Sequence, residues 1–239
     1  MNKALVIIPT YNEVENIQKI IELTLRVEDF NILVVDDSSP DGTIDVVKGL
    51  VENHPNRIFY VERKSKEGLG KAYIHGFNWA IENKYDFIFE MDADLSHDPK
   101  ELAPMLSYLR EDKDMVIGSR YIKGINVVNW PMSRILLSYL ASIYVRWTTF
   151  MPIKDPTAGF VGYRRTALEA LNLEKIKFVG YAFQIEMKFK LWKRGFNCVE
   201  YPIVFTNRIR GASKMNGKII WEALPSVLIL QLDHLLNRD

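Results

Sequence analysis

Phe87-Ile88-Phe89-Glu90-Met91-Asp92-Ala93-Asp94-Leu95-Ser96-His97 governs the reading of the whole chain. The run to Met91 is mostly apolar and reads as a buried strand. It delivers two carboxylates, Asp92 and Asp94, one residue apart. In extended backbone, residues i and i+2 project to the same side. Both acids are therefore expected to face one way at the C-terminal end of the strand. Two such acids are costly together unless something cationic sits between them. A divalent metal carrying a phosphorylated ligand answers that need, because hard oxygens suit Mg²⁺ or Mn²⁺. A polar Asx turn, followed by a helix opening at Pro99, answers it equally well.

The neighbouring segments set the context. Ala4-Leu5-Val6-Ile7-Ile8 is an apolar run stopped by Pro9, and Ile32-Leu33-Val34-Val35 runs into Asp36-Asp37. Ile58 to Val61 and Met115 to Gly118 read as further strands. Between them lie helical patterns at Ile17 to Leu25, Ile44 to Leu50, Ala72 to Ile81 and Pro99 to Leu109. Continuous Val/Ile strands separated by helices imply an α/β fold with a mostly parallel central sheet flanked by helices. Ligands on such sheets bind beyond the carboxyl ends of the strands. The notable polar groups sit at those ends: Tyr11-Asn12-Glu13, Asp36-Asp37, Asp92 and Asp94, and Ser119-Arg120.

Composition narrows the class. The chain has 239 residues, 48% hydrophobic and 26% charged, as expected of a globular protein with a sizeable core. Its net charge of +1 provides no field for nucleic acid. The single cysteine, Cys198, has no internal disulfide partner, which fits a reducing cytoplasm. Met1-Asn2-Lys3 leads straight into a strand-like run, so no signal peptide is expected. No apolar run reaches the roughly 18 residues of a membrane-spanning helix.

The second half is less regular. Ser133 to Thr149 reads as a largely apolar helix, Phe183 to Arg194 as a helix stopped by Gly195, and Asn197 to Val204 as a strand. A basic loop follows, Asn207 to Lys214. Lys66-Glu67-Gly68-Leu69-Gly70-Lys71 lacks the spacing of a phosphate loop. His54, His75, His97 and His234 show no metal-ligand spacing, and no serine carries a nucleophile-elbow pattern.

Several motifs occur in a family-specific order. Pro9-Thr10-Tyr11-Asn12-Glu13, Val35 to Thr43 and Met91 to His97 resemble a family 2 glycosyltransferase with the GT-A fold. Within it the chain is most similar to the dolichol-phosphate (polyprenol-phosphate) mannosyltransferases. That resemblance rests on Gly68 to Gly76, Gly118-Ser119-Arg120-Tyr121, Gly180 to Met187 and Arg208 to Lys214. It covers essentially all of the chain, which departs from some relatives by ending at Asp239 without transmembrane helices.

The resemblance implies one GT-A domain over 1–239, with a nucleotide-binding half (1–120) and an acceptor-binding half (121–239). It implies that Pro9, Tyr11, Glu13, Val35 and Asp37 frame the nucleoside of GDP-mannose. Asp92, Ala93 and Asp94 would lie at the diphosphate. Asp92 and Asp94 would hold Mg²⁺ or Mn²⁺, with Ser96 as a further oxygen. Arg120, Arg208 and Lys214 would gather phosphates, with Arg134 at the acceptor's head group. Asp92, Asp94, Arg120 and Arg208 would carry catalysis. Glu186 would orient a cation or a sugar hydroxyl, and Asp155 to Gly159 would form part of the sugar pocket or a plain turn.

The implied reaction transfers mannose, with inversion, to a polyprenyl monophosphate. The acceptor is already ionised near neutrality, since the second pKa of a phosphate monoester is about 6. The segment Pro131 to Phe150, with Arg134 and Arg146, is consistent with a helix lying on a membrane surface. Together these imply a peripheral protein on the cytoplasmic membrane face. UDP-glucose or another nucleotide sugar is the nearest alternative donor. A nucleotidyltransferase, a receiver-like signalling domain built on Asp36-Asp37 and a non-catalytic lipid-binding protein are the rivals from other classes.

Overall fold

The computed structural model describes residues 3–27, 30–207 and 217–236. The first half alternates strand and helix: β1 (Ala4–Thr10), α1 (Ile17–Leu25), β2 (Phe30–Asp36), α2 (Thr43–Asn53) and β3 (Ile58–Glu62). It continues through α3 (Leu69–Glu82), β4 (Phe87–Glu90), α4 (Leu102–Glu111) and β5 (Met115–Ser119). The second half holds β6 (Val127–Val128), α5 (Met132–Thr149), β7 (Val161–Arg164) and α6 (Arg165–Glu169). It ends with α7 (Ala182–Lys193), β8 (Cys198–Pro202), β9 (Phe205–Thr206) and α8 (Gly217–Leu235).

Seven strands form one sheet in the order β3-β2-β1-β4-β7-β5-β8. All neighbours run parallel except β7, which is antiparallel to both β4 and β5. The strands read as continuous apolar runs because both faces are covered. On β1, Leu5 and Ile7 enter a core with α3, α6 and α7. Ala4, Val6 and Ile8 enter the opposite core, with α1, α2 and α4. The period-two alternation of side chains thus feeds two helical layers.

The sequence pattern predicts no strand at 161–164, where the structure has β7. Gly162 disguises it, because glycine weakens a strand pattern. Its reason is packing. Gly162 pairs in register with Phe89 on β4, and a Cβ there would lie 2.4 Å from Phe89 Cε1. The inserted strand makes the second half part of the same sheet as the first.

Candidate active site

Three turns at the carboxyl ends of parallel strands build the floor of the site. Each contains a non-glycine residue in the left-handed region: Asn12 (φ 57°) after β1, Ser38 (φ 56°) after β2 and Leu95 (φ 64°) after β4. Such backbone costs about 1–3 kcal/mol per residue and persists where surrounding bonds over-determine it. Those bonds are present. The Asn12 amide donates to Ser39 Oγ at 3.0 Å, the Val14 amide to Asp41 Oδ2 at 3.1 Å and the Glu13 amide to Thr43 Oγ1 at 3.0 Å.

Asp36 and Asp37 divide the work between them. Asp36 is fully buried and accepts from Thr10 Oγ1 at 2.7 Å and from the Ser39 amide and hydroxyl at 2.8 and 2.6 Å. It is the turn-forming member. Asp37 lines the site and pairs with Arg63 Nη1 at 2.6 Å. Burial raises its carboxyl above the usual value despite the arginine.

The structure changes the reason why Asp92 and Asp94 come together. β4 ends at Glu90, so the acids lie in a turn rather than in an extended strand. The turn at Leu95 folds Ser96 back onto Asp94. Its amide and hydroxyl reach Asp94 Oδ1 at 3.1 and 2.5 Å. Ser96 therefore supports Asp94, the expected metal ligand beside it, and does not itself line the cavity. The Asp92 amide donates to His97 Nδ1 at 3.3 Å, which leaves the imidazole proton on Nε2. Burial lowers the His97 pKa to about 4, against the pull of Asp94, so the ring is neutral. It stacks on Phe160 at 4.9 Å.

Among the described residues, no group of three or more His, Cys, Asp or Glu could hold a metal ion. A two-carboxylate site still fits Mg²⁺ or Mn²⁺, which commonly take one or two carboxylates and complete their shell with substrate phosphates and water. The Tyr73 hydroxyl is fully buried without a hydrogen-bond partner among the described residues. Burial raises its pKa well above the usual value, with Asp92 the next cause. Tyr73 does not line the cavity, so its hydroxyl is a core feature beneath the acids and no part of their ligand shell.

Arg120, at the end of β5, is held by Asp155. Nε and Nη2 reach the two carboxylate oxygens at 2.7 Å each, and the Arg120 amide donates to Oδ2 at 2.9 Å. Nη2 also donates to Thr157 Oγ1 at 2.8 Å. Burial alone would raise the Asp155 carboxyl, but the guanidinium holds it below the usual range. The Asp155 amide in turn donates to Glu200 Oε1 at 2.9 Å. Asp155 to Gly159 is therefore a bracing loop, and it brings Thr157 and Gly159 to the cavity wall.

These groups meet in one cavity of about 620 Å³. Its wall includes Pro9, Tyr11, Glu13, Asp37, Asp92, Ala93, Asp94, Arg120 and Arg134 among the expected residues. Arg134 stacks on Trp130 at 4.0 Å and donates to Asn207 Oδ1 at 3.1 Å. Leu137 and Ala141 of α5 and Ser226 of α8 complete the far side. Val35 does not reach the cavity; its side chain is buried in the core under α3. Arg208 and Lys214 lie outside the described residues.

Glu186 is placed differently from its expected role. It pairs with Lys190 at 2.9 Å and accepts from the amides of Lys177 and Phe178, each at 3.0 Å through Oε2. It meets a cation as expected, but it braces the loop at Lys177 and Phe178 and does not line this cavity. Residues two positions apart on an α-helix lie about 200° apart around its axis, and it is Gln184 that reaches the wall.

Sequence reasoning missed the group behind Gln184. Glu90 is fully buried and accepts from Tyr163 Oη at 3.0 Å and from Gln184 Nε2. Burial raises its pKa to about 7. Lys188, also fully buried, donates to Gln184 Oε1 at 3.0 Å and to the Ala158 carbonyl at 2.7 Å. Burial lowers its pKa to about 8. The available signal was Glu90 itself, a charge inside an apolar strand.

The chain is similar to known proteins over most of its length. The chain is 44% identical over 223 residues to polyprenol monophosphomannose synthase of Mycolicibacterium smegmatis, covering 93% of this chain and 84% of that protein. It is 43% identical over 226 residues to undecaprenyl-phosphate mannosyltransferase of Micrococcus luteus, covering 94% and 92%. Among solved structures, glucosyl-3-phosphoglycerate synthase from Mycobacterium tuberculosis superposes with TM-score 0.70 at 17% identity, covering 96% and 80%. A mannosyltransferase from Pyrobaculum calidifontis in complex with GDP-Man and Mn²⁺ superposes with TM-score 0.59 at 18% identity, covering 98% and 74%. The fold is that of the GT-A glycosyltransferases, and the receiver-like reading falls. The model for glycosyl transferase family 2 matches residues 5–171, from β1 through the acidic turn to the Asp155 brace, and the chain belongs to that family.

Proposed function

We propose that this enzyme transfers mannose from GDP-mannose to a polyprenyl monophosphate, with inversion, releasing GDP. The carrying observation is the continuity of one cavity. It runs from the acids at the strand ends to the walls of α5 and α8. Those two helices pack together and expose Met132, Leu136, Leu140 and Trp147 on one and Leu228, Leu232 and Leu235 on the other. A charged site joined to an exposed apolar surface suits a substrate with a phosphate head and a hydrocarbon tail. The names of the two bacterial relatives support the same acceptor class and sugar.

Asp92 and Asp94 would hold Mg²⁺ or Mn²⁺, which supplies a Lewis acid for charge on the departing diphosphate. Glu13 and Asp37 accept from the guanine edge or the ribose hydroxyls. Arg120, immobilised by Asp155, offers the part of its fork that Asp155 leaves over to the donor phosphates. Arg134, with Arg208 and Lys214, brings the acceptor anion up to the donor. A phosphate oxygen attacks the anomeric carbon, the bond from that carbon to the diphosphate oxygen breaks, and the electron pair leaves with GDP. No strong base is needed, because the acceptor is already ionised. The amide of Gln184, at the site's α7 wall, suits this economy. Among the described residues no helix is long and apolar enough to cross a membrane. The exposed faces of α5 and α8 would instead lie on the cytoplasmic surface of the bilayer.

The test is incubation with GDP-mannose, Mg²⁺ or Mn²⁺ and polyprenyl phosphate, with UDP-glucose in a parallel arm. Mannosyl-lipid and GDP are expected in the first arm, and Asp94→Ala abolishes both while the protein stays folded. Glycolipid only from UDP-glucose refutes the donor, and acceptor-independent turnover refutes the lipid.

A further inference from the structure

The polar side chain that α7 places on the cavity wall is held in a single orientation by two buried titratable side chains. Gln184 is 5% exposed and lines the cavity beside Thr157 and Gly159, while Glu90 and Lys188 behind it are both 0% exposed. Its Nε2 donates to the Glu90 carboxylate and its Oε1 accepts from the Lys188 ammonium at 3.0 Å. A glutamine among neutral partners flips its amide at little cost. Here a flip would turn the amide N–H groups toward an ammonium, which has no lone pair to accept them.

Burying an acid and an amine is expensive, and apolar residues of the same shape are often no worse for stability. An apolar pair would not orient an amide. The remaining contacts of the network extend that orientation to the rest of the site. Lys188 also donates to the Ala158 carbonyl, in the loop through which Asp155 fixes Arg120. Tyr163 on β7 donates to Glu90 from the other side. Gln184 is thus registered against Arg120 through backbone rather than through solvent.

A glutamine amide carries two N–H donors and two acceptor lone pairs. Glu90 takes one donor and Lys188 one lone pair. One N–H and one lone pair are left for whatever fills the cavity. That donor-acceptor pair matches adjacent hydroxyls of a hexose, each of which both gives and accepts a hydrogen bond. We propose that Gln184 reads hydroxyls of the donor sugar, and that Glu90 and Lys188 are positioning residues that lock its amide for that task. This rests on the reading of the cavity as a nucleotide-sugar site.

The experiment compares GDP with GDP-mannose, by calorimetric titration in the presence of Mg²⁺. For Gln184→Met, GDP affinity should stay within about twofold of wild type while GDP-mannose binding weakens about tenfold, the loss of a well-placed polar contact. The preference for GDP-mannose over its C2 epimer GDP-glucose should fall by a similar factor. The double variant Glu90→Gln with Lys188→Met removes both charges together and should reproduce the loss, again sparing GDP. A lower melting temperature alone, with both affinities unchanged, would show a purely structural network and overturn the proposal. So would equal weakening of GDP and GDP-mannose. Wild-type protein that binds GDP but not GDP-mannose would refute the donor-sugar reading itself, and this inference with it.

Discussion

Asp155→Asn is the substitution that tests the frame of the site most directly. Asp155 is fully buried and holds Arg120 through both guanidinium contacts at 2.7 Å and through its backbone amide. Asparagine keeps the shape but removes the charge, and it sets an NH₂ against the guanidinium. Removing one partner of a buried pair strands the other, at a cost of about 3–5 kcal/mol. At about 2–4 °C per kcal/mol for a chain of this size, the melting temperature should fall by roughly 6–20 °C. The sign of the pH dependence follows from the depressed Asp155 pKa. Its stabilisation is present above the unfolded carboxyl pKa and is lost as pH falls through the lower folded value. The gap between wild type and variant should therefore be constant from pH 5 to 8 and close only in stronger acid. Urea unfolding at pH 5 and pH 7 measures it. Replacing both partners, Arg120→Met with Asp155→Leu, should recover most of the stability while leaving the protein inactive. A loss below about 1 kcal/mol in Asp155→Asn, at an unchanged urea dependence, would refute the buried brace.

Three further outcomes are expected. Gly162→Ala should destabilise by about 1–3 kcal/mol in urea unfolding, because its Cβ meets the ring of fully buried Phe89; wild-type stability would show that the strand can shift. Burial pushes the Cys198 thiol up from 9.0 to about 12, so iodoacetamide at pH 8 should modify native protein about 10³-fold more slowly than unfolded protein. Equal rates would refute that environment. Trp147 and Phe150 are 78% and 74% exposed at the end of α5. Trp147→Ser with Phe150→Ser should weaken sedimentation with anionic liposomes at least about tenfold, given about 1.5–3 kcal/mol for each large apolar side chain buried. Unaltered binding would place the membrane contact elsewhere.

Much of the first half was legible because local signals agreed. Leu5 to Ile8 and Leu33 to Val35 are unbroken apolar runs, and the acids after them fall where parallel sheets bind ligands. What escaped the sequence depends on long-range placement. Asp155 meets Arg120 across 35 residues, and Glu90 meets Gln184 across 94. Neither pairing leaves a local pattern. The choice between Glu186 and Gln184 needed the rotational phase of α7. That phase is hidden because Ala182 through Leu191 are all buried, with Lys188 and Lys190 among them. The antiparallel direction of β7 was equally invisible in four residues containing a glycine.

That strand has a consequence for how the chain can be divided. β7 enters the sheet from the ligand side, and it separates β4 from β5 although it follows both in sequence. A ribosome that has released the first 120 residues has made the acidic turn but not the strand between β4 and β5. Two strand edges stay open until residues 161–164 emerge, and Arg120 has no counter-charge until residue 155. Residues 1–120 and 121–239 are therefore not detachable modules. A cut at residue 120 yields two incomplete sheets, and a split protein should regain structure only when both pieces fold together.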